Sequence, residues 1–286
     1  MHQYLKKVIV IGMGFVLIGL YAPAGAYVLQ GPHILLLMAK HLGRATSLLV
    51  DQQLTLINTP AQKDPVEFDE TLRYVFPETF RSDISTENVQ RMHLSTEGAI
   101  LTVIDGKTAT DTETVFDRYK DLLLYRSRKS LQKQLYGHGV NVMVSSLGRY
   151  NGRVAYVVGA EYPDETVPQV WVDKDTFRPF RWVLAPGSEE KREDALEVRY
   201  LEWVKNDGTW YPMQIEFYQN EVLVRKIQVK SVQVNLSFSG DLFDIGHLRT
   251  IHMPGATAVS GQSETEGLSE VQKTIEEFKK RYEQQN

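Results

Sequence analysis

The chain of 286 residues contains no cysteine. This absence excludes disulfides, thiol chemistry and cysteine-ligated metals. It also excludes a lipid anchor attached to an N-terminal cysteine. A cysteine-free chain fits an exported protein in an oxidising compartment, where a stray thiol would be a liability.

An excess of positive charge is missing as well. The formal net charge is −4, and the hydrophobic (42%) and charged (24%) fractions are ordinary for a globular protein. Phosphate neutralisation supplies most of the affinity of proteins for nucleic acids. Because the sequence shows no basic patch, we expect no nucleic-acid partner.

Long apolar runs are absent apart from one at the N-terminus. Lys6 and Lys7 precede an apolar run of 14 residues ending at Tyr21, and an Ala-Gly-Ala pattern ends at Ala26. This order predicts a signal peptide over residues 1–26, cleaved after Ala26, and hence a periplasmic protein. The alternative is an uncleaved anchor, although a spanning helix needs ~20 apolar residues.

Motifs that carry catalysis are also lacking, since neither H-E-x-x-H nor G-x-S-x-G occurs. We therefore predict no catalytic site, no metal, no cofactor and no enzyme. His33 and His41 lie eight residues apart, and we expect them on the surface or on a lid. Asp173 and Asp175 flank a turn, where carboxylates usually favour the turn geometry.

What the sequence does contain is alternation with a period of two. Ser47–Asn58 and Val66–Phe76 place apolar residues at even positions, which predicts strands with one apolar face. Asn151-Gly152 is a strong hairpin signal, and strands joined by tight turns are antiparallel.

The predicted order is a helix opening at Gly31, about four strands, a second helix between Thr110 and Gly137, and six or seven further strands. So many strands curl into a barrel or half-barrel. The predicted fold class is mainly β with α: an unclosed antiparallel β-barrel of about ten or eleven strands with two covering helices, over residues 27–253.

The end of the chain differs in kind. Residues 254–267 are rich in Gly, Ser, Thr and Ala, which predicts a flexible linker. Residues 268–286 carry apolar side chains three and four apart, which predicts an amphipathic helical tail. Three roles stay open for this tail: docking on its own domain, pairing with a partner, or only partial formation.

Several segments resemble the LolA/LolB-like outer-membrane lipoprotein-sorting proteins. Gln169–Trp182 resembles their strand–turn–strand signature, and Trp210-Tyr-Pro, Val232–Asn235 and Asp241–Ile245 resemble their closing strands. The resemblance implies an unclosed barrel with helices as a lid over an apolar cavity. It also implies carrying or sensing acyl chains or lipoproteins. No family functional residue is carried over, and the missing cysteine excludes the cysteine-anchored branch.

The apolar strand faces are the candidate binding site, with lipid or lipoprotein acyl chains as the expected partners. A chain of ~16 carbons offers about 12 kcal/mol on burial, against ~4–15 kcal/mol of ordering and association costs. The alternative is that these residues fill a closed core. The predicted groove residues are Leu54, Leu56, Phe68, Leu72, Tyr74, Phe76, Trp171, Tyr200, Met213, Ile215 and Phe217.

The sequence therefore favours a periplasmic carrier of lipids or of lipoprotein acyl chains. One alternative is an envelope sensor that detects lipoproteins through the same groove and relays this to a transient membrane-protein partner. Another is a ligand-free component of envelope assembly.

Overall fold

The computed structural model describes residues 28–57, 64–86, 89–185 and 196–254. The predicted signal peptide, the predicted tail helix and all of the predicted linker except Pro254 lie outside these residues. Within the described ranges, no helix has the length and apolar character needed to cross a membrane.

The described chain forms one sheet of fourteen strands, in the order β14-β6-β5-β4-β3-β2-β1-β13-β12-β11-β10-β9-β8-β7. Neighbouring strands are antiparallel, except that β14 pairs parallel with β6. Strands β7 and β14 end the sheet and do not pair with each other, so the predicted unclosed antiparallel barrel is confirmed. The strands are β1 (Ser47–Leu56), β2 (Val66–Val75), β3 (Thr79–Ser85), β4 (Gln90–Thr96), β5 (Ala99–Ile104), β6 (Lys107–Thr110), β7 (Ser145–Tyr150), β8 (Arg153–Val158), β9 (Gln169–Asp173), β10 (Pro179–Ala185), β11 (Leu196–Asn206), β12 (Thr209–Gln219), β13 (Val222–Val234) and β14 (Met253–Pro254).

Tight two-residue turns produce the antiparallel order. Asn151 and Gly152 have φ values of 48° and 81°, and Asp207 and Gly208 have 43° and 79°. Positive φ at both turn positions matches the right-handed twist of the flanking strands, and Asn, Asp and Gly tolerate it best. The predicted hairpin at Asn151-Gly152 is confirmed.

Helices cover both faces of the sheet. The face that we call inner lies under α1 (Gly31–His41), the 3-10 helix η1 (Val115–Lys120), α2 (Asp121–Leu124) and α3 (Arg128–Gly137), which share one apolar cluster with the strands. The outer face carries η2 (Gly240–Phe243) and α4 (Ile245–Ile251), whose Leu248 packs on β4 and β5.

The single second helix predicted between Thr110 and Gly137 is wrong. Thr110 ends strand β6, and the chain then forms three short helical pieces. Tyr125 is extended, with φ −80° and ψ 95°, and ends the second piece. Ser127 starts the third, because its Oγ accepts a hydrogen bond from the Ser130 N–H at 3.1 Å.

The sheet has more strands than the ten or eleven expected, and β3 shows why. Phe80, Ser82 and Ile84 all face inward and are buried, but the polar Ser82 interrupts the apolar alternation. Ser82 donates a hydrogen bond to Glu70 on β2, so its burial is compensated. A buried polar pair of this kind hides a strand from pattern-based prediction.

Candidate functional site

The inner face of the sheet brings together ten of the eleven predicted groove residues. All ten belong to the main apolar cluster or pack against it. Trp171 does not join them, since it lies in a separate cluster with Phe180, Ala155 and Val157 on the outer face. The ten are Leu54, Leu56, Phe68, Leu72, Tyr74, Phe76, Tyr200, Met213, Ile215 and Phe217.

These ten residues form an apolar surface on the inner face, which we call the floor. Residues 113–138, which we call the roof segment, cover its middle. The ring of Phe217 lies 5.7 Å, between centroids, from both Phe116 and Tyr119. The Tyr200 hydroxyl donates to the Tyr119 carbonyl at 2.7 Å. Ile215 and Phe217 are fully buried, so no water-sized space adjoins them. The interior is closed over these residues in this structure.

Four apolar residues at one end of the interior keep part of their surface exposed, and we call them the rim. Leu54 on β1 pairs with Phe68 on β2, and Leu56, two residues after Leu54, ends β1. Val115 begins η1 and Val224 lies on β13. The rim residues pack against the main apolar cluster and are partly exposed: Leu56, Phe68, Val115 and Val224.

A row of polar side chains crosses the inner face from β1 to β5, among apolar residues such as Leu72 and Tyr74. Five buried polar residues on five neighbouring strands form what we call the polar stripe. Gln52 donates to Glu70 at 2.6 Å, and His93 Nδ1 contacts Thr102 Oγ1 at 2.9 Å. Among the described residues, Gln52 Oε1 and His93 Nε2 have no hydrogen-bond partner. The stripe comprises Gln52, Glu70, Ser82, His93 and Thr102.

One buried ion pair fastens η1 to β4, beside the polar stripe. Arg91 Nη2 on β4 lies 2.8 Å from Asp117 Oδ2, and Thr114 donates to the same oxygen at 2.7 Å. Burial alone would raise the pKa of the Asp117 carboxyl, but the charges of Arg91, His93 and Arg225 and the Thr114 hydrogen bond together outweigh burial and hold the pKa below its usual range. Asp117 is therefore ionised at neutral pH.

A second buried cluster lies within the roof segment itself. Lys120 contacts Glu113 and lies 2.8 Å from Asp121 Oδ1, while His138 Nε2 lies 2.7 Å from Asp121 Oδ2. Burial alone would lower the pKa of Lys120, but Asp121 and Glu113 raise it well above its usual value. Burial would likewise raise the pKa of Asp121, and Lys120 lowers it.

Glu113, Asp121 and His138 also have the geometry of metal ligands, with ligand atoms within 4.8 Å of one another. The ammonium group of Lys120 already contacts both carboxylates. A fixed cation therefore neutralises this cluster, and it acts as a fastening inside the roof segment. The sequence carries no sign of the cluster, because its members lie 8 and 17 residues apart.

Arg126 is a largely buried cation of the roof segment, and sequence analysis missed it too. Its guanidinium lies 4.1 Å from the ring centroid of the groove residue Phe76. It donates to the carbonyls of Leu123 (3.1 Å) and Leu42 (3.2 Å), and no ion pair in the described part of the chain includes it. Burial lowers its pKa to about 10.

The other residues considered from sequence are found where expected. His33 and His41 lie on α1 and are exposed. Asp173 Oδ1 accepts hydrogen bonds from the Asp175 N–H at 3.1 Å and from the Thr176 N–H at 2.8 Å, so it shapes the turn.

The outer face of the sheet holds a cavity of about 510 Å³ beside Leu242. Its charges largely pair with one another: Asp83 accepts from Arg73 at 2.6 Å and from Arg81 at 2.8 Å, and Lys230 contacts Asp69. The cavity is therefore polar, and it lies on the opposite face from the apolar floor.

Comparisons with solved structures identify the class of fold. A putative outer membrane lipoprotein-sorting protein domain from Vibrio parahaemolyticus matches with a TM-score of 0.51 and 10% identity, over 76% of this chain and 97% of that one. A LolA superfamily protein from Nitrosomonas europaea matches with a TM-score of 0.53 and 11% identity, over 77% of this chain and 100% of that one.

A DUF1329 family protein from Desulfovibrio piger matches with a TM-score of 0.50 and 13% identity, over 77% of this chain and 98% of that one. No family model and no curated protein sequence matches the chain. At such low identity the likeness shows the fold alone. The chain has the LolA-like fold, and the resemblance found in the sequence is confirmed at that level.

Proposed function

We propose that this protein is an exported carrier that binds lipids or the acyl chains of lipoproteins between the apolar floor and the roof segment. The observation that carries the proposal is the roof itself. It is made of three short helical pieces fastened by buried ion pairs over a continuous wall of large apolar side chains. Such a cover can lift without unfolding the sheet beneath it.

The energetics allow reversible binding. Lifting the roof exposes apolar floor that an acyl chain can cover again, at about 0.8 kcal/mol for each buried CH₂ group. The cost of opening reduces the net affinity, because only the open fraction binds. A carrier must release its cargo, so this reduction suits the proposed role.

Entry at the rim follows from exposure. Leu56, Phe68, Val115 and Val224 each pack against the main apolar cluster and are only partly buried. Val115 opens η1, a 3-10 helix, and hydrogen-bond geometry is poorer in 3-10 helices than in α-helices. An acyl chain entering at the rim would displace this first turn of the roof segment.

The fold supports the same proposal by analogy. Two proteins that share it are described as a lipoprotein-sorting domain and a LolA superfamily protein. Together with the predicted signal peptide, this favours the periplasm as the site of action. The sensor alternative draws on residues 268–286, which lie outside the described ranges, and stays a prediction.

Native mass spectrometry of residues 27–286 with palmitate, a phospholipid and a triacylated lipopeptide tests the proposal. We expect at least one of these acyl probes to be retained. Asp117→Asn should bind it more tightly than the wild type, because weakening the contact with Arg91 raises the open fraction by about tenfold for each 1.4 kcal/mol.

Asp83→Asn is the matched control, since it weakens a comparable cluster with Arg73 and Arg81 on the outer face. It should leave acyl affinity unchanged. Failure of both the wild type and Asp117→Asn to retain any of the three probes would reject the carrier function.

A further inference from the structure

The helices α1 and α3 pack against each other, and a set of exposed cations lies on these helices and in the loop just after α1. The sequence showed no basic patch because these residues come from segments more than 80 positions apart. The fold assembles the patch. We call it the lid surface, and its cations are Lys40, Arg44, Arg128, Lys129 and Lys133.

The lid surface stands out against the charge of the whole molecule. The chain has a net charge of −4, yet neither Gly31–His41 nor Arg128–Gly137 contains an acidic residue. No ion pair within the described residues uses any of the five cations. The acidic contacts of α3 are to neutral side chains: Ser130 donates a hydrogen bond to Glu78 at 2.9 Å, and Gln134 donates to Asp121 at 3.0 Å.

Large apolar side chains are exposed beside these cations. Tyr136 on α3 is 74% exposed, and Met143, six residues after the helix ends, is 72% exposed. They are the two most exposed large apolar side chains of the described chain. Leu36 and Leu37 on α1 are half-buried.

Cations mixed with exposed aromatic and aliphatic side chains match the interface of an anionic membrane. The Lys and Arg heads attract acidic phospholipids, while apolar side chains enter the boundary between headgroups and acyl chains. We propose that the lid surface docks on a membrane surface that contains anionic phospholipid. Docking there places the roof segment, and not the outer face of the sheet, against the bilayer.

Vesicle flotation with residues 27–286 tests this docking. We expect binding to phosphatidylcholine vesicles that contain about one third phosphatidylglycerol, little binding to phosphatidylcholine alone, and release in high salt, which screens exposed charges. Lys129→Glu/Lys133→Glu should weaken binding by at least about tenfold, because each cation near such a surface contributes about 1 kcal/mol.

The matched control is Lys107→Glu/Lys174→Glu, which makes the same charge change at exposed positions outside the lid helices that also form no ion pair within the described residues. It should bind like the wild type. Tyr136→Ser/Met143→Ser should bind more weakly than the wild type and be released at lower salt. Equal binding to neutral and anionic vesicles, or equal loss in the lid and control variants, would overturn the proposal. Acyl retention is measured separately, so failure of docking leaves the carrier function standing.

Discussion

Different interactions hold the helices onto the two halves of the inner face: apolar packing in one half, and buried polar and charged contacts in the other. The apolar half lies on β11 and β12, where Tyr200, Ile215 and Phe217 are buried in the main apolar cluster beneath η1. The half from β1 to β5, which we call the polar half, carries a row of buried polar side chains among apolar ones, and a buried ion pair fastens η1 to β4. Apolar packing is non-directional and tolerates sliding, whereas a buried ion pair holds in one geometry only.

Under the proposed function, this difference lets one domain be stable and still open at the roof segment. The apolar half contributes stability in proportion to buried area. The polar half contributes less to the free energy of unfolding, because moving ions out of water costs free energy. Its ion pair instead specifies the position of the roof segment. We expect variants of the two halves to separate stability from opening.

The largest stability effect is expected in the apolar half. Phe217→Ala removes a fully buried ring that contacts Phe116 and Tyr119, and should lower the free energy of unfolding by about 3–5 kcal/mol. Urea unfolding near pH 7 measures this. Tyr136→Ala, at a position that is 74% exposed, is the control and should change stability by less than about 0.5 kcal/mol. Equal effects would remove the case for a tightly packed floor.

A smaller loss is expected at the fastening of the roof. Asp117→Asn leaves Arg91 without its charged partner and should cost about 1–3 kcal/mol in the free energy of unfolding. Hydrogen exchange should rise in residues 113–125 but not in β12. An increase spread evenly over the whole sheet would contradict a locally fastened roof.

The pH dependence should distinguish the halves further. The pKa of Asp117 is lower in the folded state than its usual value of about 4, so its ionised form stabilises the fold above that pH. As pH falls below about 4, the unfolded state takes up the proton first and stability declines. Urea midpoints of the wild type should fall over this range more steeply than those of Asp117→Asn. Parallel slopes would contradict the assignment.

The smallest stability effect is expected at Arg126, a largely buried roof cation that forms no ion pair within the described residues. Burial lowers the pKa of Arg126, which means that keeping this charge in the folded state costs desolvation free energy. Arg126→Met keeps an apolar contact on Phe76 and should change the free energy of unfolding by less than about 1 kcal/mol. A thermal melt measures it, and a loss above about 3 kcal/mol would indicate an ionic partner.

Sequence patterns predicted the buried apolar positions of the strands well and the buried polar positions poorly. Alternation in β1, β2 and β12 placed Leu54, Leu72 and Ile215 on one face, and turn residues fixed the antiparallel order. The polar stripe escaped because a lone Ser or His on a strand carries no periodic signal. Its residues become a set only when five strands align.

Sequence analysis missed the three-piece structure of the roof segment for another reason. Its apolar positions, Phe116, Tyr119, Leu123, Leu131 and Leu135, have helical spacing, and this predicted one helix. The ion pairs of Asp117 and Lys120, which depend on tertiary contacts, accompany a chain broken into three pieces. Local spacing cannot anticipate such contacts.

The central claim is that acyl chains reach the floor only when the roof segment lifts. Arg91→Cys/Asp117→Cys tests it most directly, because the wild-type side chains meet at 2.8 Å and the chain has no other cysteine. A cleavable linker as long as the two lost side chains would lock the roof. We expect acyl binding by native mass spectrometry in the unlinked variant, no binding after linking, and recovery after cleavage. Equal binding in the linked and unlinked forms would contradict the account.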